Sequence, residues 1–574
     1  GGSLMSPAAY KWKISFNENA KNLAWCGTLP EFNHNEFIGW TGQPHDKPYS
    51  VIDLRCSFEH PQVLKRFEVS ERLLSGRRPT PHIVNAKGET LLEQLLWTVV
   101  FGDFVSIYLA LINNVDPTSI DLLEKFKKEI ADKFPDYADL VNPRPATIAR
   151  TRQLLKADEV LVSWYFGDKE GFVWAITKTG DPQFHSFPLG RDKMAAMVGQ
   201  LRKSLDAGVA TIDDIPAFDV ALSHQLYQSI LAPVHTALQG KKVMLAVPHA
   251  ELGQLPLALL TTQPDAQKYK PKGGDFTEYR KTPWLIKDIA VAQLPSVTAL
   301  AALRNLPAPP TDRRAFVGFG DPFFSMEQAK IAANTAARAG NAMATRGIPL
   351  KLRSAPKTSG VSSAELALLP RLPDTKEELQ EIGKALSADP AQDIFLNQQA
   401  SVSRVMEMDL SKRQVVMFAT HGLVPGELDG LAQPALALSA PDVTGEGKGD
   451  GLLTMEKILT LKLNADWVVL SACNTASGEG AGAEAVSGLG RAFFYAGARA
   501  LLVSNWPVDS EAARLLMTDM FKRQQVKPGQ NKAEYLQASM VNMMEASGSL
   551  DPKGKVKYAY AHPLFWAPFV VVGD

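Results

Sequence analysis

Five stretches in the C-terminal half of the chain are continuous apolar runs of strand length: RRAFVGFGDP (313–322), RQVVMFATHG (413–422), DWVVLSACN (466–474), ARALLVSNW (498–506) and APFVVVGD (567–574). A strand with one wet face alternates apolar and polar residues; an unbroken apolar run marks burial on both faces, so these stretches predict a largely parallel sheet covered by helices. The segments between them have helical spacing: DTKEELQEIGKAL (374–386), AEAVSGLGRAFFYAG (483–497) and DSEAARLLMTDMFKRQQ (509–525), the last with Asp509 or Ser510 at the N-cap position. Upstream, Leu122, Leu123, Phe126, Ile130 and Phe134 predict a helix over 118–134, and PRPATIARTRQLL (143–155) repeats the pattern after a proline stop. DEVLVSWYFG (158–167) and GFVWAITKTG (171–180) then predict a β-hairpin, and KKVMLAVPHA (241–250) a buried strand. Strands separated by helices indicate a layered α/β fold.

Three regions depart from this pattern. Residues 5–115 are rich in aromatics and turn residues and become apolar and helical from about 90, which predicts a separate N-terminal module. LLWTVVFGDFVSIYLALI (95–112) is long enough for a bilayer, but a carboxylate at Asp103 costs about 2.5–3.5 kcal/mol there on insertion scales, so a buried helix or helix pair is expected and no membrane span. The Ala/Gly-rich, basic stretch at 326–370 loses its apolar period and is expected to be a mobile surface insertion.

With 574 residues, the chain exceeds what one core usually supports, and two to four domains are expected. Its Lys+Arg and Asp+Glu counts are both 61, so no global basic field draws it to nucleic acid, and no direct nucleic-acid contact is expected. The three cysteines, Cys26, Cys56 and Cys473, include no CxxC pair, which fits neither a disulfide framework nor a zinc site and suggests a reducing compartment, the cytoplasm. GGSL before Met5 reads as an appended leader (1–4), and the following SPAAYKWKISFNENAK lacks the apolar core of a secretory signal.

Sites on open parallel sheets form beyond the carboxyl ends of the strands, and two predicted strands end in reactive residues, His421 and Cys473. If those strands are neighbours, an imidazole meets a thiol. A thiol of ordinary pKa is mostly protonated at neutral pH, and a histidine beside it can take its proton and later pass it to a leaving amine. The backbone N–H groups of Gly422 and Cys473 are candidates for an oxyanion hole, where one donor is worth about 3–4 kcal/mol. Taken singly, a buried cysteine is usually an inert hydrophobe and a His-Gly pair a satisfied turn; Cys26, Cys56, His249 and His562 keep such structural readings. The chemistry requires no metal and no organic cofactor.

ATHG (419–422), GLLTMEKI (451–458), ADWVVLSACNTASG (465–478), AEAVSGLGRAFFYAGARALLVSNWPVD (483–509) and AHPLFWAPFVVVGD (561–574) together resemble the CHAT family of caspase-like cysteine peptidases, relatives of separase. The likeness extends upstream through NPRP, LLKADEVLVSWYFG, VMLAVPHAELGQLPLALL, FGDP and LPDTKEE, covering about residues 140–574. It implies an α/β caspase-like fold: a mostly parallel sheet flanked by helices, in tandem pseudo-protease (116–310, with a helical linker) and active (311–574) halves. It also implies a His421/Cys473 dyad and a protein substrate. Relatives serve in bacterial defence, including activation of pore-forming effectors. In separase-like members an acidic residue receives a basic substrate side chain, for which Asp321 and Asp509 are the candidates, with Trp506 as a wall; helix capping is the competing role for Asp509. The resemblance thus implies a cysteine endopeptidase acting on a particular partner protein, with residues 5–115 as a recognition or regulatory module that a regulatory protein could engage. A catalytically silent scaffold is the alternative.

Overall fold

The aromatic N-terminal region and the apolar run at 95–112 fold together. The computed structural model describes residues 1–574 except 43–47, 134–145, 207, 209–210, 266, 336–365, 424–430, 432, 446–449, 472–487 and 551–555. It divides into two units, Gly1–Asn142 and Pro143–Asp574, so the first extends past the boundary expected at 115 and takes in the helix Asp121–Lys133. In it the helix Ser6–Glu18 packs on the helix Leu91–Ile112, with a two-stranded parallel sheet of β1 (Ile52–Arg55) and β2 (His82–Asn85). Residues 1–4, read from sequence as an appended leader, are hydrogen-bonded into this unit: the Gly1 amine donates to the Gly27 carbonyl (3.0 Å) and the Leu4 N–H to Glu59 Oε2 (3.0 Å).

The helix Leu91–Ile112 is buried along an unexpected stripe. Gln94, Thr98, Gly102, Ser106 and Ala110, every fourth residue, face inward, while Leu92, Leu96, Phe104, Tyr108 and Leu111 are exposed. Trp12 is the reason: its indole N–H donates to the Thr98 carbonyl (2.8 Å), and a Cβ at Gly102 would lie 2.2 Å from its Nε1. A bulky partner on one helix therefore selects small residues on the other. Asp103 accepts from Lys11 Nζ (2.9 Å) and Ser15 Oγ (2.7 Å). Length and hydropathy alone would allow this helix to cross a membrane.

In the second unit every continuous apolar run becomes a strand. β3 (Glu159–Phe166) and β4 (Gly171–Thr177) form the expected hairpin, to which β5 (Gln183–Phe187) adds. β6 (Val243–Val247) and β7 (Ala290–Gln293) complete the first half. The second half supplies β8 (Arg314–Gly320), β9 (Ile394–Leu396), β10 (Arg413–Ala419), β14 (Trp467–Leu470), β15 (Ala500–Ser504) and the C-terminal β18 (Phe569–Gly573). A small antiparallel sheet, β11 (His421–Leu423), β12 (Ala435–Ala437) and β13 (Leu452–Thr454), and the pair β16 (Gly548–Leu550) and β17 (Val556–Ala559) lie outside it. Among the described residues the two halves share one sheet of eleven strands, ordered β5-β4-β3-β6-β7-β18-β15-β14-β10-β8-β9. They meet where β18 pairs parallel with β7 on one edge and antiparallel with β15 on the other.

Alternation along each strand divides the core into two layers. Val415, Met417, Trp467, Val469 and Leu502 enter one layer, under the helix Ser510–Val526 with its Leu516, Met517, Met520 and Phe521. Val416, Phe418, Val468, Leu470 and Leu501 enter the other, under the helix Gly488–Tyr495 with Leu489, Ala492 and Phe493.

The C-terminus is locked to the first half by Arg304. Its guanidinium forks onto both oxygens of Glu159 (2.7 and 2.8 Å) and both of Asp574 (2.6 and 3.1 Å), and Glu159 is 1% exposed. Arg304→Met leaves the buried Glu159 carboxylate with only the Lys156 N–H (2.7 Å) and the Lys156 ammonium (3.7 Å) among the described residues, and removing one partner of a buried pair costs up to about 3–5 kcal/mol. The urea midpoint should fall accordingly; an unchanged midpoint would show that the lock contributes nothing.

His562, given a structural reading from the sequence, caps the short helix Pro563–Trp566 through Nδ1, which accepts from the Leu564 N–H (3.2 Å). Complete burial pushes its pKa down to about 3. An unfolded imidazole titrates near 6.5, so the unfolded chain binds a proton that the native one refuses. This group's contribution is intact above about pH 6.5 and declines by about 1.4 kcal/mol per unit as the pH falls toward 3. The stability difference between wild type and His562→Gln should therefore shrink between pH 7.5 and 4.5 in denaturant titrations; a constant difference contradicts the assignment.

Candidate functional site

Three strands end side by side. β10 pairs in parallel with β8, Ala419 opposite Gly320, and with β14, Phe418 opposite Leu470; the Ser471 N–H then donates to the Phe418 carbonyl (3.0 Å). Asp321, Thr420 and Ser471 therefore follow one another across the carboxyl rim of the sheet. This is the adjacency the sequence required for a His421/Cys473 pair. Cys473 lies two positions past Ser471, outside the described residues.

His421 opens β11, an edge strand, opposite Ala437 of β12, and is fully buried. The Thr420 hydroxyl bonds the Ala437 carbonyl and secures the turn out of β10. The Phe324 ring lies 5.5 Å from the imidazole, centroid to centroid. His421 Nε2 stands 2.8 Å from the Pro370 carbonyl oxygen. A carbonyl can only accept, so this contact requires the proton on Nε2, and in the neutral ring the lone pair is then on Nδ1. Gly422 follows on β11 opposite Leu436 and is half-buried.

The remaining predicted residues occupy other settings. Trp506 is fully buried in the core and donates its indole N–H to the Leu564 carbonyl (3.1 Å). Asp509 is the N-cap of the helix Ser510–Val526, its carboxylate accepting from the Ala512 N–H (2.9 Å). Asp321, fully buried at the end of β8, is bidentate with Arg371: Nε to Oδ1 2.8 Å and Nη2 to Oδ2 2.6 Å. Burial pushes its carboxyl pKa up, and the Arg371 guanidinium partly offsets this.

Sequence reasoning passed over the residues that touch these groups. Pro370 and Arg371 fell at the edge of the insertion expected to be mobile; yet Met326–Thr335 is a helix, Leu369 and Leu372 are buried, and residues 336–365 lie outside the described residues. Glu378, on the helix Asp374–Ala385, accepts from the Ser471 hydroxyl (2.9 Å) with both residues fully buried, fixing the end of β14. The motif LPDTKEE contains Glu378, but nothing in its spacing shows that it reaches a residue 93 positions on. Among the described residues no group of three or more His, Cys, Asp or Glu could hold a metal.

Comparison with known proteins separates the two units. Residues 1–130 match the model of the bacterial phospho-glucose isomerase C-terminal SIS domain, a similarity the sequence reading did not anticipate. The bifunctional phosphoglucose/phosphomannose isomerase of Thermoplasma volcanium is 34% identical over 123 residues, which are 21% of this chain and 39% of that protein. The Aquifex aeolicus isomerase is 28% identical over 127 residues, 22% of this chain and 40% of that protein. Tetratricopeptide repeat protein 28 of Homo sapiens is 27% identical over 235 residues, 35% of this chain but 8% of that protein. The chain thus spans about two fifths of the isomerases it matches. Among solved structures, the Saccharomyces cerevisiae separase–securin complex aligns with a TM-score of 0.40 and 8% identity, over 99% of this chain and 40% of the other. The CHAT domain model matches residues 220–574, which include His421, the strands that frame it and Cys473. On that match, covering more than half of its length, the chain belongs to the CHAT domain family, and its α/β sheet is mostly parallel and flanked by helices, as expected.

Proposed function

We propose that the CHAT unit is a cysteine endopeptidase with Cys473 as nucleophile and His421 as general base and acid. The observation that carries this reading is the contact between His421 Nε2 and the Pro370 carbonyl, at the end of the strand beside the one that leads to Cys473. A base oriented by a third group through its far nitrogen is the arrangement that nucleophilic catalysis uses.

In this reading Nδ1 takes the thiol proton, and the thiolate adds to the scissile carbonyl. The N–H groups of Gly422 and Cys473 receive the developing oxyanion. His421 then gives its proton to the leaving amine, and water hydrolyses the thioester. Closure of the tetrahedral centre needs no metal. The thiolate requires a reducing compartment, which the cytoplasm supplies. The substrate is a partner protein, and the Gly1–Asn142 unit serves recognition or regulation. Its likeness to a SIS domain makes phosphoglucose or phosphomannose a candidate signal; no shift in the unfolding of the full chain at saturating phosphoglucose would remove that element. The alternative is a silent scaffold that keeps the sheet and binds without cutting.

Wild type, Cys473→Ala and His421→Ala, each incubated with a proteome-derived peptide library and read by mass spectrometry, decide between them. Cleavage should occur with the wild type and fall at least about 10³-fold in either variant. Equal cleavage by Cys473→Ala would contradict the peptidase reading. Cleavage by none of the three would favour the scaffold.

A further inference from the structure

The Pro370 carbonyl can hold His421 in one tautomer only if the strap Leu369–Leu372 is itself held, and every residue of that strap is tied. The Leu369 carbonyl accepts from Gln328 Nε2 (2.7 Å), and its side chain is buried with Phe324, Leu423 and Ala437. The Leu372 carbonyl accepts from the Thr375 hydroxyl (2.7 Å). Between them, one peptide bond from the Pro370 carbonyl, the Arg371 guanidinium grips both oxygens of Asp321 and lies over the Phe323 ring, 4.9 Å from its centroid.

Asp321 is a rigid anchor. It leaves β8 in the left-handed region at φ +46°, sparsely populated for a residue with a side chain and persistent only where its surroundings fix it. Those surroundings are visible: its N–H donates to Thr375 Oγ1 (2.8 Å) and its carbonyl accepts from the Asn397 N–H (3.1 Å). Both carboxylate oxygens are occupied by a planar fork whose geometry a point-charge cation cannot reproduce. A substrate side chain could reach Asp321 only by expelling Arg371.

We infer that the Asp321–Arg371 pair is a clamp that sets the Pro370 carbonyl against His421 Nε2, making both positioning residues for the base instead of a pocket for a substrate side chain. This rests on reading His421 as the general base. It predicts a chain of dependence running from Asp321 through Arg371 and the Pro370 carbonyl to the imidazole, with no contact between the clamp and substrate.

The test uses the full chain and two readouts. The first is the His421 tautomer, from long-range ¹H–¹⁵N correlations of ¹⁵N-histidine-labelled protein, assigned with His421→Ala. The second is peptide hydrolysis. Arg371→Ala should lose the Nε2–H tautomer and lower kcat by about 100-fold with KM nearly unchanged, the scale of effect that a misplacement of about 1 Å produces. Added methylguanidinium should restore both, and Arg371→Lys should recover only part. Should Arg371→Ala fail to fold, Arg371→Lys carries the same comparison, with partial loss of tautomer and kcat expected. A folded variant that keeps the wild-type tautomer overturns the inference, as does a change confined to KM for peptides with a basic residue. If no form of the chain cleaves peptide, the peptidase reading fails, and the tautomer measurement still decides whether the clamp exists.

Discussion

Strand β10 is the member on which the site depends. It is paired along both edges, to β8 and β14, and its side chains alternate into two separate apolar layers. A strand held on four sides has no freedom of register, so the residues at its carboxyl end are placed by the whole sheet. His421 follows two residues later, and the chain toward Cys473 leaves from the strand alongside. At that rim the Thr420 hydroxyl bonds the Ala437 carbonyl, the Ser471 hydroxyl donates to Glu378, and Asp321 is forked by Arg371, so each side chain that follows a strand end is tied to a named group. The rim is thus a network of fixed distances, which is what a base of defined tautomer needs.

The first half of the Pro143–Asp574 unit completes the sheet. Its strands β3 to β7 continue the same eleven-stranded layer, and the last strand of the chain, β18, is inserted between β7 and β15. The C-terminal residue is drawn into the Arg304 lock with Glu159 at the start of β3. The rim that carries His421 in the second half therefore belongs to the same sheet as the first half, although the first brings no member of the proposed dyad.

The parts of this arrangement legible in the sequence are those fixed by burial. Strands such as FVVVG and ALLVS could be located because a strand covered on both faces has no wet position to interrupt its apolar run; the pairing of β10 with β14 is not in that pattern and enters only as the condition for a His421/Cys473 pair. Asp509 could be read as a cap because capping is local. What failed was non-local or depended on the partner's shape. The helix Leu91–Ile112 buries its small residues because Trp12 needs room, which no pattern within the helix reveals. The resemblance implies a pocket wall at Trp506, but its indole N–H finds a carbonyl 58 residues away inside the core. The acid at Asp321 looked like an open socket because Arg371, its partner, is 50 positions distant in a stretch that appeared structureless.

The central claim is that His421 activates the thiol of Cys473. The most direct measurement is the rate of iodoacetamide alkylation at each cysteine of the native chain, resolved by peptide mass spectrometry, in wild type and in His421→Ala. Cys56 is 3% exposed and Cys26 half-buried, which gives two thiols of different exposure for comparison. An activated Cys473 reacts faster than either, and the advantage disappears when His421 is removed. Equal rates at all three cysteines, or a fast Cys473 indifferent to His421, would contradict the account.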